Sequence, residues 1–298
     1  MTVSTETVAS EWRRPFGDEV GAAGLFGPDS MTWRIGRENA LAAFGGARAL
    51  ILQVAHPLVA AGVGENSNYR QEPWDRLFRT LEAVTTIVFG TPEEAEAAAR
   101  RVWTVHHKVR GELKSAEGSF PAGTAYDARD PALAMWVHAT LFDTQILVYD
   151  RYVQRLSIAE RETFYEEQKL FAEMFGVPRD RQPETYADFN AYFDDVVENE
   201  LAVTDTLLDV VDATLVNPPL PAAARPLRRP AVEALKLQTA GALPPRLRAE
   251  LGFGWGPRRE RLMRASEPLV RNLLALTPKL VRDFPAARAA KRRVAAAA

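Results

Sequence analysis

Signals for the start and end of helices recur throughout this chain, and they constrain its fold more strongly than any other feature of the sequence. Thr91-Pro92-Glu93-Glu94 combines an N-cap, a proline at the first helical position and a capping-box glutamate. This segment predicts a helix that runs past Arg110. Pro73 predicts the start of the preceding helix, and Gly90 predicts its end.

Two more long helices are predicted in the middle of the chain. Asp130-Pro131 marks the start of the first, and Ser157 with Glu160 marks the second, which we expect to stop at Gly176. We interpret the apolar run from Ala49 to Val54 as buried helix, since no rhythm of alternating strands and helices and no internal repeat is present. Apolar residues recur at every third or fourth position, as in Leu77, Leu81, Val84 and Val88. The sequence therefore predicts an all-α fold of about ten helices.

We predict one domain with three parts. Residues 1–30 form an N-terminal arm, residues 31–216 form the helical core, and residues 217–298 form a proline-rich connector and basic C-terminal helices that pack on the core. From Asn217 to Ala298 the chain has 17 Lys and Arg and 5 Asp and Glu, a net charge of +12, so the rest carries −14. A basic surface can contact nucleic acid or an anionic membrane. Here the arginines are spread between apolar residues such as Leu262 and Leu269, without a recognition motif, so we expect no nucleic-acid partner. We expect these helices to pack on the acidic part of the chain and to have a solvated face.

The composition excludes several kinds of chemistry. The chain has no cysteine, which excludes disulfides, thiolate-bound zinc, iron-sulfur clusters and a cysteine nucleophile. Any metal must then be held by nitrogen or oxygen. The first residues lack the apolar run of a secretory signal, and no stretch is long and uncharged enough for a transmembrane helix. We therefore expect a cytoplasmic protein, and the sequence leaves a homodimer open.

Transition-metal chemistry would depend on four histidines, His56, His106, His107 and His138. None has a glutamate three residues before it, which excludes the usual carboxylate-bridged di-iron site. The zinc-protease motif His-Glu-x-x-His is also missing, and the adjacent His106 and His107 point to different faces of a helix. A non-haem iron site of two histidines and one carboxylate from separate helices stays open.

Two predicted helical faces carry groups that could surround an anionic or dioxygen-like ligand. One combines a large ring, an imidazole and a guanidinium at i, i+3 and i+7, namely Trp103, His106 and Arg110. The helix before it combines two cations and a hydroxyl at i, i+3 and i+4, namely Arg76, Arg79 and Thr80. A solvated helix edge is the ordinary interpretation of such charges. Haem would use all of these groups, since it needs one neutral imidazole, an apolar slot, cations for its propionates and a few polar groups opposite the iron.

The other two histidines have simpler interpretations. His56 precedes Pro57, and because proline disfavours the α conformation in the residue before it, we predict a helix end there. His138 lies near Trp136 on a predicted buried helix. We interpret it as a satisfied core histidine, with a second metal ligand and a substrate contact as alternatives.

Two segments of the sequence resemble a known family. The first is Trp33-Arg34-Ile35-Gly36-Arg37-Glu38 leading to the run from Arg48 to His56-Pro57, and the second leads from Tyr126 through Asp130-Pro131 to the run from Trp136 to Leu141. They resemble a family of bacterial proteins that shares its domain with the rubber oxygenases (latex-clearing proteins) and the fungal MpaB-type oxygenases. The resemblance covers roughly residues 31–254 and implies a globin-like or related all-α fold around a buried haem pocket.

The resemblance also implies roles for the residues on the two helical faces. In the rubber oxygenases the haem is held by the histidine of an Arg-x-x-His-x-x-x-Arg helix, with an Arg-x-x-Lys-Thr helix upstream on the opposite side. The first pattern falls on Trp103, His106 and Arg110, which implies that His106 ligates the iron of haem b and that the other two contact the cofactor. The second falls on Arg76, Arg79 and Thr80, which would orient dioxygen as catalytic residues. Trp103 replaces an arginine, Arg79 replaces a lysine, and Glu65 is the nearest counterpart of the catalytic carboxylate.

These observations lead to one principal hypothesis and two alternatives. The principal hypothesis is a haem b-dependent oxidoreductase, an oxygenase that uses dioxygen on a hydrophobic small molecule such as an alkene or isoprenoid. The first alternative is a non-catalytic protein that binds haem or an apolar ligand in the same pocket. The second is a haem-free helical protein in which the histidines only pack.

Overall fold

The computed structural model describes residues 8, 11–17, 20–21, 23–66, 73–216 and 228–297, and only the backbone of residues 66, 73–77 and 228. Within this part of the chain there are fourteen α-helices and one two-stranded sheet, which confirms the predicted all-α class. The prediction of about ten helices was too low, because short helices such as α11 and α13 carry no separate periodicity. The elements are α1 Met31–Gly36, α2 Ala40–Ala55, α3 Pro57–Asn66, α4 Pro73–Phe89, α5 Pro92–His106, β1 Arg110–Glu112, β2 Ala125–Asp127, α6 Pro131–Tyr152, α7 Ile158–Met174, α8 Tyr186–Asn199, α9 Asp205–Val211, α10 Arg228–Ala242, α11 Pro245–Glu250, α12 Pro257–Leu276, α13 Lys279–Arg282 and α14 Pro285–Ala297.

Most predicted helix boundaries are confirmed. The Thr91 and Ser157 side chains both form capping boxes, with Glu94 and Glu160 respectively, and Asp130 accepts a hydrogen bond from the Ala132 amide at the start of α6. Such caps satisfy backbone N–H groups that have no partner within the helix. The run from Ala49 to Val54 is helical, as predicted, and lies within α2.

The predicted extension of α5 past Arg110 is wrong. The helix ends at His106, and Arg110 begins β1, which pairs antiparallel with β2 so that Gly111 lies opposite Tyr126. A Cβ atom on Gly111 would come within 2.7 Å of the Tyr126 hydroxyl oxygen. This close contact between residues far apart in the sequence ends the helix. No helix-stop signal near His106 predicts this end from the sequence.

The centre of the fold is the packing of α2 on α6. Gly45 lies where these helices come closest, since a Cβ atom there would be 2.7 Å from the Thr144 side chain. The indole N–H of Trp136 donates to the Leu52 carbonyl at 3.1 Å, which fixes the same contact. Among the described residues, no single helix is long and apolar enough to cross a membrane, and α2 with α3 has that length and composition only as a pair bent by 100°.

The helices after residue 227 pack on this core: α10 on α2, α12 on α6 and α14 on α4. Most of the predicted proline-rich connector lies outside the described residues. The last helix continues to Ala297, and its residues Ala287 and Ala290 are completely buried against the core.

A latch of hydrogen bonds attaches the C-terminal segment to the loop after α1. The Asn39 amide donates to the Arg282 carbonyl and the Phe284 amide donates to the Arg37 carbonyl, both at 2.8 Å. The Arg282 guanidinium donates to the two carboxylate oxygens of Glu38 at 2.7 and 3.0 Å, and the Glu38 side chain is fully buried. These contacts hold the Phe284 ring against the core.

Breaking this ion pair should destabilise the protein measurably. Arg282→Ala would leave the buried Glu38 carboxylate with only the Arg37 guanidinium, at 3.6 Å. Because Arg282 is partly exposed, we expect a loss of about 2 kcal/mol, somewhat below the usual cost of breaking a buried pair. Urea denaturation measures it, with the exposed Arg292→Ala as a control that should change stability by less than about 0.5 kcal/mol. A loss in Arg282→Ala as small as in that control would contradict the latch.

Candidate functional site

A cavity of about 390 Å³ lies between α2, α4, α6 and α7, and this volume is in the range of sites for small organic ligands. Its wall is mainly apolar, because the faces of these helices that meet there carry alanine, leucine, valine and phenylalanine. The described lining residues are Thr32, Gly36, Asn39, Leu41, Ala42, Ala43, Gly45, Gly46, Ala49, Leu50, Gln53, Phe78, Thr80, Leu81, Val84, Thr85, Val88, Phe89, Leu141, Thr144, Gln145, Gln168, Phe171 and Phe284.

The cavity has an open side and a deep side. Ala43 and Phe78 line it and are exposed to solvent, so the entrance lies between α2 and α4. Ala49 and Phe171 line it and are buried, so they mark the interior. The polar groups in the described wall are neutral amides and hydroxyls, without a charged side chain. An apolar molecule with one or two neutral polar groups suits such a wall.

Thr80, alone among the described site residues predicted from the sequence, lines this cavity. It lies on α4 and is half-buried, whereas its neighbour Arg79 is exposed. The Arg76 side chain lies outside the described residues. The structure thus places Thr80 of the predicted catalytic set in the cavity wall and Arg79 on the protein surface.

His106 lies at the end of the helical hairpin formed by α4 and α5. Only Gly90 and Thr91 join these helices, so they run antiparallel, and the last turn of α5 lies level with the first turns of α4. His106 lies at the level of the Arg76 backbone, near the end of the hairpin away from Gly90. At 1.5 Å per residue, this level is roughly 8 Å from the level of Thr80 along the hairpin axis. The His106 ring is half-buried and does not line the cavity.

Of the other two residues predicted on the His106 face, Trp103 lies one turn before His106 on α5 and Arg110 lies beyond the end of the helix. Trp103 is half-buried, with the Arg129 guanidinium 5.5 Å from its ring centroid, and its indole N–H has no hydrogen-bond partner in the described structure. Arg110 is exposed on β1. The predicted common face therefore keeps Trp103 and His106 and loses Arg110, because the helix ends at His106.

His138 is the candidate that our sequence interpretation underrated. It is 3% exposed, and within the described part of the chain neither ring nitrogen has a hydrogen-bond partner. Its ring packs on Phe142 and Phe171, with centroids 6.2 and 5.8 Å away. Burial lowers the pKa of His138 to about 4, so the imidazole is neutral at physiological pH.

The prediction of a satisfied core histidine at this position was half right. His138 is in the core, but its nitrogens lack the partners that buried polar groups usually have. Phe171, which it contacts, lines the cavity, and so do Leu141 and Gln145, which lie three and seven residues later on the same face of α6. That spacing is visible in the sequence, but the missing partners are not.

Two other residues considered from the sequence have structural partners. His56 ends α2, as predicted, and its Nε2 atom lies 3.0 Å from a Glu200 carboxylate oxygen. Glu65 accepts a hydrogen bond from the Tyr126 hydroxyl at 2.6 Å and pairs with Lys114 at 2.7 Å. The hydrogen bonds from Lys114 and Tyr126 lower the pKa of Glu65, which makes it a weaker base and does not favour the role of catalytic carboxylate.

In the described residues, no three or more histidine, aspartate or glutamate side chains are grouped closely enough to hold a metal ion. The non-haem iron site left open by the sequence is therefore not formed by them. A haem would need fewer protein ligands, since it brings four of its own and needs one imidazole beside apolar surface. The unpartnered nitrogens of His138 and of Trp103, three residues before His106, are the kind of buried polar atoms that a bound group satisfies.

The fold and cavity define an all-α protein with an internal, mainly apolar cavity. Residues 33–272 match the family described as "ER-bound oxygenase mpaB/B'/Rubber oxygenase, catalytic domain". The match covers well over half of the chain, and the protein belongs to this family. Membership confirms the resemblance noted in the sequence and supports an oxygenase kind of function.

The chain is also similar to uncharacterised proteins of Mycobacterium bovis and Mycobacterium tuberculosis. Each is 25% identical to it over 219 residues, which span 71% of this chain and 80% of the relative. No solved structure matches the chain.

Proposed function

We propose that this protein is a haem b-dependent oxygenase that acts on a hydrophobic small molecule, such as an alkene or isoprenoid. The observation that carries the proposal is the apolar cavity against α4, with Thr80 in its wall, in a member of the rubber oxygenase and MpaB family. The apolar wall suits a substrate with little hydrogen-bonding capacity, because burial of apolar surface then supplies the binding free energy.

In this proposal His106 holds the haem at the open end of the α4/α5 hairpin, and the cavity beside it holds the substrate. Bound haem would supply the redox chemistry for adding both atoms of dioxygen to the substrate, a reaction that needs no external reductant. Trp103, one turn before His106, provides an indole N–H for the cofactor side of the site, and Arg110 provides a cation on the adjoining strand. Arg76 and Arg79 lie on the helix that faces His106, where guanidinium groups can stabilise negative charge.

The chain's own residues have three further tasks. Thr80 contributes to the cavity wall beside the substrate. The Phe171 and Phe284 rings exclude water from the interior, which strengthens polar interactions there. His138, neutral and unpartnered, can exchange a hydrogen bond with a ligand whose polar group reaches it past Phe171.

A carrier of apolar molecules is the second candidate, favoured by the absence of a charged group from the described wall of the cavity. Oxygen consumption separates the two functions. An oxygenase loaded with hemin should consume dioxygen and add oxygen atoms to members of a panel of alkenes and isoprenoids, and Arg79→Ala should slow turnover. A carrier should bind the same molecules without oxygen consumption.

Filling the cavity should block the substrate. Ala49→Phe adds a ring at a buried lining position, and we expect kcat/KM to fall by at least about tenfold, since the substrate would lose much of its apolar contact. Mass spectrometry of the products measures the rate. Ala97→Phe, on the exposed side of α5, is the size-matched control and should retain activity.

Two outcomes would contradict the role of the cavity. One is an Ala49→Phe protein that folds and turns over substrate at the wild-type rate. The other is an equal loss of activity in Ala97→Phe. The hemin spectrum of both variants should match the wild type, because the cavity interior is assigned to substrate.

A further inference from the structure

The C-terminal helix α12 and the short helix α13 expose an unusual number of large apolar side chains. In the described structure eleven large apolar residues are exposed, and six of them lie between residues 262 and 281. The exposed fractions are 58% for Leu262, 61% for Leu269, 58% for Leu273, 82% for Leu276, 72% for Leu280 and 63% for Val281. We call these six residues the leucine stripe. Contiguous exposed apolar surface commonly marks an interaction site.

The four leucines of α12 lie along one side of the helix. At about 100° per residue, Leu262, Leu269, Leu273 and Leu276 fall within an arc of about 60°. Leu280 and Val281 follow in α13 and are also exposed. The four leucines span residues 262–276 of this 20-residue helix, so this side of α12 can meet a flat apolar phase.

The opposite side of α12 is fixed to the core, so the leucine stripe stays turned outward. Met263 is 3% exposed and packs inward. Arg271 donates to the carbonyls of Asp150 and Arg151 at 3.0 and 2.8 Å. These contacts tie the helix to the end of α6, and rotation that buried the leucines would break them.

The net charge of this segment distinguishes two possible partners of the surface, a second copy of the chain and an anionic lipid bilayer. Residues 257–282 contain seven arginine and lysine residues and two glutamates, a net charge of +5. Two copies of the chain that met through this surface would bring the two positive segments together, which is unfavourable. An anionic lipid surface would instead attract the cations while its acyl chains accept the leucines.

We propose that α12 and α13 dock the protein on the surface of an anionic lipid bilayer, with the leucine stripe inserted at the level of the headgroups. Exposed cations at the start of α12, Arg258 and Arg261, then contact lipid phosphates. The proposal stands on the surface alone and does not depend on the proposed oxygenase function.

Co-sedimentation of the full-length chain with vesicles tests the proposal. We expect binding to vesicles of phosphatidylcholine with phosphatidylglycerol, and binding at least about tenfold weaker to phosphatidylcholine alone or at high salt. The double variant Leu269→Ser with Leu273→Ser should bind anionic vesicles at least about tenfold less, since both apolar side chains are lost from the interface. Arg258→Gln with Arg261→Gln should weaken binding to anionic vesicles and reduce its salt dependence.

Ile158→Ser is the matched control, because Ile158 is 81% exposed on a different part of the surface. It should bind vesicles as the wild type does, and thermal melting should show that every variant is folded. No binding of the wild type, or equal binding of the leucine variant and the wild type, would overturn the proposal. A dimer seen by sedimentation equilibrium that the leucine substitutions dissociate would also overturn it, and would assign the stripe to a second copy of the chain.

Discussion

His106→Ala should remove stoichiometric haem binding, and His107→Ala should leave it intact. The two histidines are neighbours at the end of α5, and both are half-buried, so the pair separates ligation from a general effect on that end of the hairpin. Loss of groups that merely orient a metal ligand costs 10- to 100-fold in affinity, so loss of the ligand itself should weaken hemin binding by roughly 100-fold or more. Titration followed at the Soret band measures this affinity.

His138→Ala completes the test of the ligand assignment. Within the described residues both ring nitrogens of His138 lack a hydrogen-bond partner, and we propose that His138 contacts substrate and leaves the iron to His106. We expect His138→Ala to keep the Soret band. Loss of the band in His138→Ala with retention in His106→Ala would show that the ligand is on α6, and free imidazole should restore the spectrum of whichever variant lacks the ligand.

The haem-free protein should lose stability as the pH falls from 6.5 to 4, and His138→Phe should remove a large part of that loss. Burial lowers the pKa of His138 to about 4 from its ordinary 6.5. In this range the unfolded chain binds a proton at His138 and the folded chain does not, so acid favours unfolding. At 1.36 kcal/mol per pH unit the contribution is about 3 kcal/mol, fully present above pH 6.5 and fully lost below pH 4.

Urea denaturation at a series of pH values measures the slope in both proteins. Phenylalanine replaces the imidazole with a ring that can pack on Phe142 and Phe171 but cannot titrate. Burial also lowers the pKa of His56, but this contribution is present in both proteins and cancels in the comparison. Parallel curves of stability against pH for the wild type and His138→Phe would show that the ring is hydrated or hydrogen-bonded in solution.

Local chemistry explains which parts of the fold could be predicted. The starts of α5, α6 and α7 follow from caps that lie within four residues of each helix. The end of α5 could not be predicted in this way. It depends on the close approach of Gly111 to Tyr126, which are 15 positions apart and meet only after the strands pair.

The sequence predicted which residues the candidate site contains better than it predicted where their side chains lie. The family resemblance led to Thr80, which lies in the cavity wall, and to Arg79, which is exposed, as the ordinary interpretation of a solvated helix edge predicts. The unpartnered state of His138 depends on what α7 places beside it, and neighbours from another helix are not visible in a single sequence.

The C-terminal helices show the same limit. Their arginines and leucines predicted helices that pack on the acidic part of the chain and have a solvated face. Leu247 is buried, as such packing requires. Leu262 and Leu269 are exposed instead, because α12 turns Met263 and Arg271 toward α6. Periodicity gives the two sides of a helix, and only tertiary contacts decide which side is buried.

Titration of the purified chain with hemin is the most direct test of the central claim that this helical domain holds one haem. We predict a Soret band distinct from that of free hemin, which grows in proportion to added hemin and saturates at one equivalent per chain. Absorption that stays that of free hemin at every ratio, in a chain that is folded by circular dichroism, would contradict the account.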